Sequence, residues 1–117
     1  MKLGNQGETC AAEYLKNKGY RIVERNFRCS FGEIDIIAIK DKTLCFIEVK
    51  TRQSAEFGSP CMAVDRRKLL HIKRCAYVFM GKCRISYSDI RVEIIELIYN
   101  EEKFYVRHLE KIDMTGI

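Results

Sequence analysis

Between residues 5 and 18, Ala11, Ala12 and Leu15 follow Glu8 at offsets of three, four and seven, the spacing of a single helix face. Asn5, with Glu8 three residues on, gives a capping-box-like start, and Gly19 gives a C-terminal stop. Residues 20 to 28, YRIVERNFR, suit a strand, and SFG at 30 to 32 supplies a turn. EIDIIAIK and TLCFIEVKTR are rich in β-branched residues and flank the turn KDKT, which predicts a hairpin. Residues 53 to 60, with Gly58 and Pro60, read as a polar loop. From about 62 to 80 the apolar positions return to helical spacing at Leu69, Ile72, Ala76 and Phe79, and Gly81 ends the run. IRVEIIELIY and KFYVRHLE, separated by NEE, close the chain as two strands. The expected order is α-β-β-β-α-β-β. A long helix between the third and fourth strands implies a right-handed crossover joining two parallel neighbours. The fold class is therefore α/β, a mixed sheet with helices packed on it.

The hairpin interrupts its own apolar pattern with charge. Taking Asp41 and Lys42 as a two-residue loop pairs Lys40 with Thr43. Continuing that register sets Asp35 opposite Glu48 and Glu33 opposite Lys50, all on one face. Ile34, Ile36, Ile47 and Val49 then point to the other. Directly opposed carboxylates have Cβ atoms about 4.5–5.5 Å apart, and like charges there are destabilising. Either one carboxyl keeps its proton, or a cation lies between them. Mg²⁺ prefers such oxygen ligands and commonly takes one or two carboxylates, completed by water and substrate phosphate. Lys50 would stand beside that cation, placed to orient or deprotonate a water or to steady developing negative charge. Spacing alone leaves two readings open: a metal site, or a Glu33–Lys50 cross-strand ion pair among charges solvated at the sheet end.

Composition narrows the class. With 117 residues, one Pro, no repeat and no low-complexity linker, the chain fits one domain over 1–117, with room for a loose tail after Lys111. No apolar run approaches the roughly 20 residues of a membrane helix. The start, MKLGNQGETC, lacks the apolar stretch of a secretory signal, so the expected location is the cytoplasm. The six cysteines stand singly with no C-x-x-C pair, which argues against zinc and for reduced thiols, several of them buried. A formal charge of +5 permits a polyanionic partner. Much of the positive charge falls in DRRKLLHIKR, where Arg67, His71 and Arg74 form a stripe beside the apolar one. Arg52, Arg66, Arg67, Lys68 and Arg74 are the candidate phosphate contacts, the alternative being a solvated helix face.

GEID followed by FIEVKTR resembles the YraN-like family of small bacterial proteins, whose members carry G-E-I-D and F-V-E-V-K-x-R at similar separation. GE at 7–8, NFR at 26–28, FG at 57–58 and RRK at 66–68 extend the resemblance over nearly the whole chain. That family is similar to the PD-(D/E)xK nuclease superfamily, notably archaeal Holliday-junction resolvases. The resemblance implies a restriction-endonuclease-like core with Mg²⁺, or Mn²⁺, held by Asp35 and Glu48, and Lys50 assisting the attacking water. It adds the main-chain carbonyl of Val49 as a ligand and Glu8 on the first helix, in part through water. Where the family's late strand often reads R-F-D-V-V, this chain has RVEII at 91–95, and Arg91 and Glu93 are read as structural. The expected partner is DNA, branched or structured, with no membrane. A resolvase-like role implies a homodimer, since two symmetric nicks need two sites. The competing functions are a non-catalytic nucleic-acid-binding protein on the same fold and an interaction protein whose charges form an ion-pair network.

Overall fold

A computed structural model describes residues 3–53 and 65–117, with side chains in the first helix from Gln6 onward. The elements follow the order the pattern predicts. Helix α1 (Leu3–Asn17) precedes strands β1 (Arg21–Cys29), β2 (Gly32–Lys40) and β3 (Thr43–Gln53). Helix α2 (Arg66–Lys82) then leads to β4 (Asp89–Asn100) and β5 (Lys103–Leu109). The five strands form one sheet in chain order. Only β3 and β4 are parallel, because α2 carries the chain back between them.

Element ends differ from the pattern in places. Helix α1 is already formed at Leu3, so Asn5 lies inside it rather than at its cap. Helix α2 starts behind Asp65, whose side chain accepts a hydrogen bond from the Arg67 amide at 2.9 Å. It runs one residue past Gly81 to Lys82. Most of the expected loop at 53 to 60, with Gly58 and Pro60, lies outside the described residues. The β2–β3 and β4–β5 hairpin loops are each two residues long. Asp41 and Lys42 have φ of 49° and 64°, and Glu101 and Glu102 have φ of 51° and 65°. Two successive residues in this left-handed region make the turn that matches strand twist and fixes register.

The two helices cover opposite faces. Ala11, Ala12 and Leu15 of α1 bury against Ile36, Ala38, Cys45, Ile47, Ile95 and Leu97. Leu69, Ile72, Cys75, Ala76 and Phe79 of α2 bury against Ile34, Ile37, Leu44, Phe46 and Val92. Ile34 thus departs from the expectation that it shares a face with Ile36, Ile47 and Val49. The β1–β2 ladder has no pair at Asn26 and Asp35, and Asn26 sits at φ 55°. The left-handed residue breaks the two-residue alternation and sends Phe27 and Ile34 to the α2 side.

After β5 the chain returns to α2. The Ile112 amide donates to the Val92 carbonyl at 3.0 Å, and Ile112, Met114 and Ile117 pack on the α2 cluster. The five described cysteines are free thiols, with Cys45 and Cys75 buried; Cys61 lies outside the described residues. No helix among the described residues is long and apolar enough to cross a membrane.

Candidate functional site

The site forms where β2 and β3 part. Their ladder keeps the expected register from Lys40–Thr43 to Ile36–Ile47 and then stops. At the next residue the Asp35 carboxylate takes the place of a strand acceptor: its Oδ2 accepts the Val49 amide at 2.8 Å. In a strand, the N–H and C=O of a residue point to the same edge. The Val49 carbonyl therefore faces the gap that Asp35 enters. Glu48, one residue earlier on β3, lies within side-chain hydrogen-bonding reach of Asp35. Two carboxyl groups satisfy such a contact only by sharing a proton.

Both groups are nearly enclosed, Asp35 at 8% and Glu48 at 9% exposed. Burial pushes the Asp35 carboxyl above the ordinary range, opposed by the Val49 amide. Burial is also the main cause of the upward shift at Glu48, opposed by Lys68 and reinforced by Asp35. Glu8 reaches the same field from α1: burial raises it first, and the Asp35 charge raises it further. Lys68 enters from α2, with Nζ 3.5 Å from Glu48 Oε1. The Lys50 charge also bears on Glu48 and favours its ionised form. The Asp35–Glu48 pair thus feels charges from both faces of the sheet, Glu8 on one helix and Lys68 on the other.

Glu33 is placed differently from expectation. It pairs with Arg28 across the β1–β2 ladder, and Arg28 Nε lies 3.0 Å from its Oε2. The β2–β3 ladder has already ended, so the register that would have set Glu33 against Lys50 does not reach it.

The basic residues divide. Arg52 lies on β3 with Nε 3.0 Å from Oε2 of Glu96. Arg67 is exposed at the start of α2. Arg66 donates to the Gly116 carbonyl at 3.0 Å, and the Arg74 guanidinium lies 5.7 Å from the Phe31 ring centre. Lys68 alone of the α2 set reaches the carboxylates.

Two buried carboxylates on β4 were not assigned a site from the sequence. Glu96 pairs with Lys50 across the parallel ladder and lies 3.6 Å from Nη1 of Arg107. Glu93 projects to the α1 side, accepting from the Tyr20 hydroxyl at 3.0 Å and lying 2.7 Å from His108 Nε2. Its place in that network agrees with a structural role. Carboxylates inside the apolar run IRVEIIELIY were the available signal; their partners come from other strands, which no local spacing reveals.

These features define an α/β protein with a paired-carboxylate site where two central strands separate, flanked by lysines. The chain belongs to the uncharacterised protein family UPF0102, whose model matches residues 7–97. A UPF0102 protein of Alkaliphilus oremlandii is 45% identical over 111 residues, covering 93% of this chain and 95% of the relative. One from Clostridium acetobutylicum is 47% identical over 102 residues, covering 86% and 83%. One from Caldanaerobacter subterraneus is 43% identical over 111 residues, covering 95% and 88%.

Proposed function

We propose that this protein is a metal-dependent nuclease that hydrolyses DNA phosphodiesters, with branched or structured DNA as its substrate class. One observation carries the reading: Asp35 and Glu48 are buried side by side with both carboxyls raised, at a gap the Val49 amide faces, and the Lys50 charge acts on Glu48. Ionised together, two such carboxylates repel each other, and a cation between them offsets that repulsion. Among the described residues no three His, Cys, Asp or Glu side chains form a ready metal cage. Two carboxylates with a facing carbonyl nevertheless fit Mg²⁺ or Mn²⁺, which keep several waters and take substrate oxygens as ligands. Asp35, Glu48 and the Val49 carbonyl would hold the ion, with Glu8 contributing through a water. When bound, such a cation neutralises phosphate oxygens and makes water a better nucleophile. Attack by water breaks a P–O bond, and negative charge grows on the phosphoryl and leaving oxygens. Lys50 would orient or deprotonate the water or steady that charge. The likeness of GEID and FIEVKTR to the YraN-like family, itself similar to the PD-(D/E)xK nucleases, supports the same assignment.

A non-catalytic nucleic-acid-binding protein is the second reading. The ion pair from Lys68 to Glu48 favours it, since that ammonium already offsets one carboxylate. Linear, single-stranded and four-way-junction DNA, each with Mg²⁺, Mn²⁺ or EDTA, separate the two. Cleavage should require metal and disappear in Asp35→Ala, Glu48→Ala and Lys50→Ala while binding persists. Binding without cleavage in every condition would establish the second reading, and neither binding nor cleavage would leave an ion-pair scaffold.

A further inference from the structure

Lys68 stands in the first turn of α2, whose buried Leu69 and Ile72 hold the helix to the sheet. Its ammonium crosses to β3 and lies 3.5 Å from Oε1 of Glu48. Of the two lysines whose charge favours ionised Glu48, Lys68 has the larger effect and Lys50 the smaller. The Lys68 charge also favours the ionised form of Asp35. One ammonium, brought by another element, thus bears on both carboxylates of the pair.

The two partners of this ion pair differ in freedom. The Glu48 side chain is 10% exposed, on a strand that continues its ladder with β4 on both sides of that residue. The Lys68 side chain is 39% exposed and carries its charge on a flexible four-carbon stem. If a second cation reaches Glu48, the lysine is the partner that can swing into water. The carboxylate has nowhere else to go.

Charge makes the two cations exclude each other. Mg²⁺ takes carboxylate oxygens at about 2.0–2.1 Å. An ammonium at ion-pair distance from the same oxygen would then face a double like charge a few ångströms away. Like charges that close repel even through water, and more strongly where burial thins the solvent. A single ammonium offsets one of two carboxylate charges, whereas a divalent cation offsets both. The divalent ion therefore wins the site at sufficient concentration, and the lysine sets how much is needed.

We propose that Lys68 is a built-in competitor of the divalent cation for Glu48, pairing with the carboxylate and yielding it when the cation binds. This rests on the metal reading of Asp35 and Glu48, but not on catalysis. Calorimetric titration of Mg²⁺ and of Mn²⁺, with no DNA present, tests it. Lys68→Gln should bind both cations on the order of tenfold more tightly than the wild type. Lys68→Arg keeps the charge and should bind like the wild type. Lys82→Gln makes the same charge change at the other end of α2, roughly 21 Å away. That exceeds the screening length of about 8 Å at physiological salt, so its metal affinity should stay at the wild-type value. In EDTA, Lys68→Gln should melt below the wild type because Glu48 has lost its partner, and saturating Mg²⁺ should close the gap. A lower melt with wild-type metal affinity would mean a purely structural ion pair and overturn the proposal. Lys68→Arg or Lys82→Gln binding metal as tightly as Lys68→Gln would overturn it too. If the wild type cleaves DNA only with metal but Lys68→Gln has unchanged metal affinity, this proposal alone falls. If Lys68→Gln binds metal more tightly but no DNA is cleaved, the competition stands and the nuclease reading falls. Binding of neither cation by either protein overturns both.

Discussion

Asp35 and Glu48 titrate in the direction opposite to that of a salt-bridged carboxylate. Burial raises both, so the folded protein holds their protons to higher pH than the unfolded chain does. In the window between the ordinary carboxylate value and the raised native one, the native state binds more protons. Stability therefore falls as pH rises through that window and levels off above it. Thermal melts from about pH 4 to pH 8 should show this fall for the wild type, and Asp35→Asn should flatten it. Mg²⁺ should recover the lost stability at the upper end, by about 1.4 kcal/mol at ten times its dissociation constant. The same variant should remove most of that gain. A wild-type melting temperature indifferent to Mg²⁺ at neutral pH would count against a metal at this pair.

At the scale of elements, Gly7 sets how closely α1 crosses β3. A Cβ added there would overlap the Thr51 hydroxyl and crowd Leu97. Gly7→Ala should push α1 off the sheet, at a cost of about 1–3 kcal/mol, and carry Glu8 away from Asp35. Because the clash is chiefly with Thr51, Gly7→Ala in a Thr51→Ala background should cost measurably less than in the wild type. Urea unfolding of the four proteins of that cycle measures the coupling. An additive result would place the strain elsewhere. The hairpin between β2 and β3 shows the same dependence on local chemistry. Its two-residue loop was readable from KDKT, and the ladder follows the register that loop sets as far as Ile36–Ile47. What KDKT does not encode is where the ladder stops. That is decided by Asn26 and Asp35, which leave the β1–β2 ladder together and turn the Asp35 side chain toward Val49.

Across the whole molecule, Glu93 ties the first helix and strand entry to the last two strands. It is fully buried, accepts from Tyr20, and meets His108, whose side chain is 3% exposed. His108 Nδ1 in turn lies 3.0 Å from the Tyr14 hydroxyl, and Lys18 joins Tyr14 to Glu110. Burial, with the Glu93 charge, pushes the Tyr20 phenol up, so it stays a donor throughout the physiological range. His108→Leu removes one partner and leaves the carboxylate enclosed. Leaving a buried polar group without its hydrogen-bond partner typically costs about 1–3 kcal/mol, so denaturant midpoints should fall accordingly. His108→Leu combined with Glu93→Gln should recover part of that loss. Equal stability of the single variant and the wild type would mean the network carries little of the fold.

The sequence by itself determined the element order, the hairpin loop and the β2–β3 register as far as Ile36–Ile47, because turn chemistry and hydrophobic period are local properties of the chain. It also brought Asp35, Glu48 and Lys50 together as one candidate set, since two strands joined by a two-residue loop have little freedom in register. Only the tertiary structure decided that Glu33 answers to Arg28, that Ile34 leaves the face of Ile36, and that Lys68 reaches Glu48. The link from Lys50 through Glu96 to Arg107 likewise depends on a parallel pairing made through α2 and a second hairpin. Those contacts join residues distant in sequence. Their choice rests on how helices and strands pack, which no window of neighbouring residues contains.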